Sequence, residues 1–347
     1  MALIGPGAIE IPPRAYGAIE DYIANLAREL EALGYRVSIL NRTPPLRSRR
    51  AREIVSAVAL PFDLRGRSFD TLHAHSPITA EALSASGRPY VLTSHSRYWL
   101  TEPTGLDRLW RMRDTLAVRR ATAVIALSPR VRPLFESIRS GTARPRVEVV
   151  PFGVDCDRFH PPPPGTPRLG VVGLGVVAAH KRWDILAAAA RAAGVPARIL
   201  GRIDDPRARS AARQLNPAVE FPGEVPAERL AEELGRARVY VHPSDMELAS
   251  VATVQAMACG LPVVGSDLLE DIVTHGKDGF LVDHTLPIDE RIAATAEYIR
   301  RLVADDTIWG AMAKRARATA VDEHSWPIIA RRVADVYERT RSPPPSV

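Results

Sequence analysis

The sequence predicts an α/β protein made of two parallel-sheet units in succession. Three observations carry that reading. The 347 residues exceed the ~100–150 of a typical domain, so two cores are expected. Short, strongly apolar runs alternate with segments of helical spacing along the chain, as in parallel sheets covered by helices on both faces. Between the halves, Pro151-Phe152-Gly153 and the run Pro161-Pro162-Pro163-Pro164-Gly165 interrupt the alternation. Consecutive prolines exclude helix and interior strand and act as a semi-rigid extended spacer. The expected organisation is a Rossmann-like domain over 1–150, a linker over 151–165, a second Rossmann-like domain over 166–324, a terminal helix over 325–341 and a frayed tail over 342–347.

The elements follow in order. From Gly17 to Gly34, Ile19, Tyr22, Ile23, Leu26, Leu30 and Leu33 recur at helical spacing with charges opposite, and Gly34 supplies the stop. Arg36–Leu40 reads as the next strand. Ile54–Leu60, Asp70–Ala74, Tyr90–Ser94, Ala123–Leu127 and Val147–Val150 are further strand candidates, with helical stretches between most of them. After the prolines the pattern restarts with Arg168–Gly173 as strand and Trp183–Ala193 as helix. Strands at Ala197–Leu200, Val239–Val241, Pro262–Val264 and Phe280–Val282 continue it, and Ser325–Thr340 forms a last helix.

Composition narrows the function classes. No apolar run approaches the ~20 residues of a membrane-spanning helix, and the N-terminus shows no basic region followed by an apolar segment. Cys156 and Cys259, the only cysteines, support neither a disulfide framework nor a zinc cluster. A cytoplasmic protein is expected. Residues 1–150 carry 22 Arg against 14 acids, a balance of +8, and the remainder 24 Lys plus Arg against 26 acids, a balance of −2. The positive half contains two clusters, Arg42, Arg47, Arg49, Arg50 and Arg52, and Arg108, Arg111, Arg113, Arg119 and Arg120. Two readings stand side by side: a solvated arginine-rich surface, or a face that docks on anionic lipid headgroups or an anionic acceptor at the inner side of a membrane. No nucleic-acid-binding pattern accompanies the charge, so no nucleic-acid partner is expected. Five Asn plus Gln and 30 prolines fit a thermophilic source, and the preference for Arg over Lys also fits a GC-rich genome.

Open parallel sheets bind ligands beyond the carboxyl ends of their strands. With two such sheets, the expected site is the cleft where those ends meet. The most informative segment runs from Pro243 to Asp267. A strand ends in a polar loop containing Glu247, and a helix then starts near Ser250 and stops at Gly260. Free N–H groups at a helix start suit a pyrophosphate. The Glu247 carboxylate suits sugar hydroxyls, and Gln255, over a turn into the helix, suits a ribose. A buried crossover helix with an incidental glutamate is the plain alternative for this stretch alone.

The same segment resembles the signature of retaining glycosyltransferases of family 4, which have the GT-B fold: a glutamate, a second glutamate after seven residues, then Ala-Met-Ala-Cys-Gly-x-Pro-Val-Val. Further segments resemble that family in the right order. They are Phe69-Asp-Thr-Leu-His-Ala-His75, Val91-Leu-Thr-Ser-His95-Ser, Arg120–Ser128, Val150-Pro-Phe-Gly153-Val-Asp155 with Arg158-Phe159, and Glu323-His-Ser-Trp326. The resemblance spans nearly the whole chain.

By that resemblance, Gly17 lets backbone approach the donor phosphates, and His95 hydrogen-bonds the donor sugar near the reacting carbon. Lys181 neutralises the pyrophosphate, Glu224 and Val225 cradle the base, Glu247 binds the sugar, and the amides of Ser250 and Val251 bind the phosphates. His73 and His75 are expected on opposite sides of a strand, in structural roles. Three positions depart from the pattern. The second glutamate is Gln255, the glycine after the first glutamate is Ser250, and the arginine before the lysine is replaced by Gly175 or Val176, leaving His180 or Arg182 to supply its charge.

The implied reaction is retaining transfer of a hexosyl group from a UDP- or GDP-linked sugar to a hydroxyl of a glycan, lipid-linked or small-molecule acceptor. No residue stands out as covalent nucleophile. No metal constellation stands out either, Asp204-Asp205 reading as a helix start, so no metal or other cofactor is expected. Two further readings remain: an impaired binding or scaffold protein, motivated by Gln255 and the missing arginine, and a sugar-nucleotide epimerase or a phosphorylase of the same fold.

Overall fold

The computed structural model describes residues 1–13, 17–95, 105–138 and 146–341; the tail expected over 342–347 lies outside them. The chain divides into two compact units, Met1–Gly153 with Trp326–Val347, and Val154–Ser325. In the first unit the elements are β1 (Ala2–Ile4), α1 (Ala18–Ala32), β2 (Ser38–Leu40), α2 (Arg49–Asp63), β3 (Leu72–Ala74), α3 (Pro77–Ala85), β4 (Val91–Ser94), α4 (Leu106–Arg120), β5 (Ala123–Ala126), α5 (Arg132–Glu136) and β6 (Arg146–Val149). In the second they are β7 (Val171–Leu174), α6 (Trp183–Ala193), β8 (Ala197–Leu200), α7 (Pro206–Leu215), β9 (Glu220–Gly223), α8 (Leu230–Gly235), β10 (Val239–His242), α9 (Val251–Ala258), β11 (Val263–Ser266), β12 (Gly279–Val282), α10 (Ile288–Ala304) and α11 (Asp306–His324). The last helix, α12 (Trp326–Arg341), belongs to the first unit.

Among the described residues each unit holds a six-stranded sheet, ordered β2-β1-β3-β4-β5-β6 and β12-β11-β10-β7-β8-β9, with all paired strands parallel. The α/β expectation of two Rossmann-like units holds. In both sheets the chain first steps to one side of its opening strand and later returns to the other. The reversal falls between β1 and β3 in the first sheet and between β7 and β10 in the second. Such a switch point opens a crevice at the carboxyl ends of the two strands, because their outgoing loops diverge.

Burial explains why these segments take these forms. On α1 the stripe Tyr22, Ile23, Leu26 and Leu30 is buried, and α12 buries Trp326, Ile329, Val333 and Tyr337 beside it. Tyr22 and Trp326 meet edge to face at 5.2 Å. In the second unit Trp183, 1% exposed, is the largest buried side chain. Gly173 leaves the space for its ring, since a Cβ there would lie 2.6 Å from it, and its Nε1–H donates to the Val176 carbonyl at 3.0 Å. Trp183→Ala is therefore expected to cost ~3–5 kcal/mol through the cavity it leaves, read as a lower urea midpoint. An unchanged midpoint would show that the site collapses without penalty.

Two expectations are corrected. Ile54–Leu60, read as a strand, is the middle of α2. Ser48 caps that helix, its Oγ accepting from the Ala51 amide at 3.3 Å, and the β-branched residues stand on its outer side instead of inside a sheet. The proline run does not stand free as a spacer. Phe159 is buried in the core of the second unit, and Pro161 and Pro162 lie against Gly260 and Gly235, where a Cβ would come within 3.2 and 3.4 Å of them.

Candidate functional site

In the second unit the switch point brings together two loops far apart in sequence. The loop after β7 carries Lys181, in a single helical turn over Ala179–Lys181. The loop after β10 carries Glu247. Because β7 and β10 are hydrogen-bonded neighbours, the loops lie side by side, and Lys181 Nζ meets Glu247 Oε2 at 2.7 Å. The same oxygen accepts from His242 Nε2 at 2.8 Å. His242 ends β10, is 1% exposed, and its Nδ1 lies 3.0 Å from the Tyr240 hydroxyl.

The electrostatics fix the protonation states. Burial alone would raise the Glu247 carboxyl, but the hydrogen bond from His242 and the charge of Lys181 outweigh it and hold the group well below the usual carboxylate range. Burial lowers His242, and the Lys181 charge lowers it further against the opposing pull of Glu247. His242 is thus a neutral imidazole at pH 7 whose Nε2–H donates to the carboxylate, which leaves Nδ1 to accept from Tyr240. Glu247 stays ionised across the neutral range, so it accepts hydrogen bonds and has no proton to give.

Around this pair the loop is tied down. Arg182 sits in the left-handed region at φ 53° and grips Asp184 at 3.1 and 2.8 Å and Asp245 at 3.0 Å. Asp245 also takes Arg291 at 2.7 Å, and Arg291, 4% exposed, donates to the Pro243 carbonyl at 2.8 Å. Arg182 thus anchors the loop through two carboxylates. Ser250 caps α9, its Oγ accepting from the Thr253 amide at 3.3 Å, and the Val251 amide points to the Ala249 carbonyl at 3.2 Å. Gln255 is half-buried one turn into α9. Glu224 is exposed after β9, and Val225 packs on the core.

In the first unit Gly17 is the N-cap of α1. A Cβ there would stand 2.6 Å from Ile9 and 3.0 Å from the Glu20 carboxylate, so close packing accounts for a glycine at this position. His95 follows β4 directly, and its Nε2 lies 3.4 Å from His75 Nδ1. The reading of His73 and His75 on opposite sides is wrong: residues two apart on a strand share a face, and the two rings are 4.1 Å apart. His73 is hydrogen-bonded to Tyr337 at 2.6 Å and Thr93 at 2.7 Å. Tyr22 lies 5.4 Å from the rings of both His75 and His95, and Phe152 lies 5.7 Å from His95. Burial in this aromatic setting lowers His95 and His73 to about 3 and His75 well below its usual value. All three are neutral at pH 7.

Among the described residues, Asp267, Asp283 and His284 form the one group of acids and histidine within reach of a common ion. Asp267 Oδ1 is already engaged there by His284 Nδ1 at 2.7 Å.

Sequence reasoning missed His242, Tyr240, Asp245 and Arg291. The first two carried a signal, polar side chains at alternate positions of an apolar strand (Val239-Tyr-Val-His242). Arg291 reaches the loop from α10 and carried none.

Residues 166–305 match the family of glycosyl transferases group 1, and residues 19–158 match glycosyltransferase family 4. The chain is 25% identical over 376 residues to alpha-maltose-1-phosphate synthase of Mycolicibacterium smegmatis, covering 95% of this chain and 97% of that protein. It is similar in fold to sucrose-phosphate synthase from Thermosynechococcus elongatus, with a TM-score of 0.76 and 21% identity over 97% of this chain and 98% of the other. It is likewise similar to Anabaena HepE in complex with UDP and glucose, with a TM-score of 0.73 and 20% identity over 98% of this chain and 100% of the other.

Proposed function

The chain belongs to the family 4 glycosyltransferases of GT-B fold, and from that premise we propose that it moves a hexosyl group from a nucleotide sugar, UDP- or GDP-linked, to an acceptor hydroxyl with retention at the anomeric carbon. The observation that carries the proposal is the Lys181–Glu247–His242 constellation at the switch point of the second sheet. It joins a fixed cation and a permanently ionised acceptor in adjoining loops beside the start of α9, groups that suit a diphosphate and the hydroxyls of a sugar.

In the proposed step the bond from the anomeric carbon to the diphosphate oxygen breaks as the acceptor oxygen bonds to the same face of that carbon. The acceptor's proton passes to the leaving phosphate. Lys181 balances the charge that develops on the diphosphate, the role in which preorganised charges contribute most. Glu247 accepts from sugar hydroxyls and orients the ring. Gln255, with an amide that donates and accepts, serves the ribose. His95, being neutral, acts as a hydrogen-bonding group toward the sugar. The reaction is proposed to run without a metal ion or other cofactor. Its acceptor is a glycan, a lipid-linked sugar or a small metabolite, and the arginine-rich first half gives it peripheral contact with an anionic membrane. No helix of the described residues is long and apolar enough to cross one.

Nucleotide binding tests the reading. UDP or GDP at 100 times its dissociation constant should stabilise the protein by about 2.7 kcal/mol, seen as a raised melting temperature that Lys181→Ala removes. Transfer from radiolabelled donor should persist in EDTA. A chain that no nucleotide diphosphate stabilises would be a scaffold that kept the fold, and loss of transfer in EDTA would reject metal independence.

A further inference from the structure

Two helices of the first unit turn their large apolar residues outward. On α2, Ile54, Val58 and Phe62 recur at every fourth position and are 44%, 66% and 73% exposed, while Ser56, Ala57 and Leu60 face inward. On α4, Leu109 and Met112 are 45% and 62% exposed, while Ala117 and Val118 are buried. A surface helix ordinarily does the reverse, with its apolar stripe on the core and its polar side in water. The two stripes belong to one layer: α3 packs against both α2 and α4, and the Arg50 guanidinium stacks 3.9 Å over the Trp110 ring to tie the start of α2 to α4. Single exposed apolar residues need no explanation, but a contiguous set does.

The charge around the stripes is predominantly positive. Arg47, Arg49 and Arg50 are exposed at the start of α2, Arg65 and Arg67 just beyond its end, and Arg119 and Arg120 at the end of α4. Three of the nearby acids are paired within the layer, Glu53 with Arg49, Asp63 with Arg42 and Glu81 with Arg113. Apolar stripes bordered by arginine match the chemistry of a lipid surface, where side chains enter the acyl boundary and guanidinium groups meet phosphates. A second copy of the chain would set arginine against arginine, and nucleic acid would leave the apolar stripes in water.

We propose that the outer side of the α2–α3–α4 layer docks on an anionic phospholipid bilayer, with Ile54, Val58, Phe62 and Met112 inserted and the flanking arginines on the headgroups. This deepens the membrane contact proposed above and names its surface. The test is co-sedimentation of the full chain with vesicles of phosphatidylcholine, with and without phosphatidylglycerol. Binding is expected only to the anionic vesicles, to weaken at high salt, and to fall at least tenfold in Val58→Ser/Phe62→Ser and in Arg47→Ser/Arg50→Ser. Equal binding to neutral vesicles overturns the proposal, as does anionic binding that the apolar substitutions leave intact, or a concentration-dependent dimer that they dissolve. Since Val58 and Phe62 are exposed, the apolar variant should keep the parent melting temperature, while Arg47→Ser/Arg50→Ser, which also removes the Arg50 stack on Trp110, should stay folded with a slightly lower one. Their nucleotide-induced thermal shift, measured without vesicles, reads the donor site separately, so a failure of docking is distinguishable from a failure of the transferase reading.

Discussion

Glu247→Ala is expected to lower turnover by roughly 10²–10³-fold, the usual effect of removing one preorganised polar group from a transition-state site. Lys181→Ala is expected to do the same. The structure adds a cost beyond the lost contact. With their side chains 14% and 11% exposed, Lys181 and Glu247 are largely withdrawn from water. Removing one leaves the other's charge uncompensated, for which ~3–5 kcal/mol is typical of buried pairs. Glu247→Gln keeps the hydrogen bonds and removes only the charge. Its amide oxygen still accepts from Lys181 and His242, so the loss of stability should be smaller than in Glu247→Ala while the rate falls. The double change Lys181→Ala/Glu247→Ala should be more stable than the sum of the single changes predicts, because no orphan charge remains. Initial rates alongside urea unfolding give both readings. Parent turnover in a folded Glu247→Gln variant would remove the carboxylate's charge from the chemistry.

Acidification from pH 7 to pH 5 is expected to destabilise the first unit strongly. His73 and His95 are lowered to about 3, and His75 also well below its usual value, by burial among aromatic rings. The folded unit therefore refuses protons that the unfolded chain accepts near pH 6.5. Where the unfolded state binds more protons, stability rises with pH. It is fully present above ~6.5 and is lost as the pH falls from there toward the folded values near 3. His73 and His95 each contribute a loss of about 2 kcal/mol between pH 7 and pH 5, and His75 acts in the same direction. In the second unit His242 is lowered in the same direction. Hydrogen exchange of the β3 and β4 amides should accelerate at pH 5, after correction for intrinsic rates, well beyond that of β8. Equal protection of the two sheets at both pH values would show that the histidines take up protons without unfolding.

Much of the architecture was legible because strands buried on both faces must be apolar and short. The stretches around β3, β4, β5, β7 and β10 declared themselves that way, and Gly34 and Gly260 punctuated the helices. The failure at Ile54–Leu60 has a definite cause. Rules that assign apolar β-branched runs to a sheet assume that such residues are buried, and on α2 they are not. In the candidate site, Lys181, Glu247 and Ser250 were found through loop position and resemblance. His242 and Arg291 act through contacts that no local pattern encodes.

By itself the sequence determined the class of fold, most of the alternation of strands and helices, and which residues carry charge at strand ends, because periodicity and turn chemistry are properties of neighbours along the chain. Tertiary structure decided that Lys181 and Glu247, 66 residues apart, share one hydrogen bond. It also decided that three histidines share one enclosure, and that an apolar stripe faces outward. Strand order within a sheet settles these matters: β7 and β10 are adjacent only after the chain has stepped away through β8 and β9 and returned, and no window of sequence contains that return.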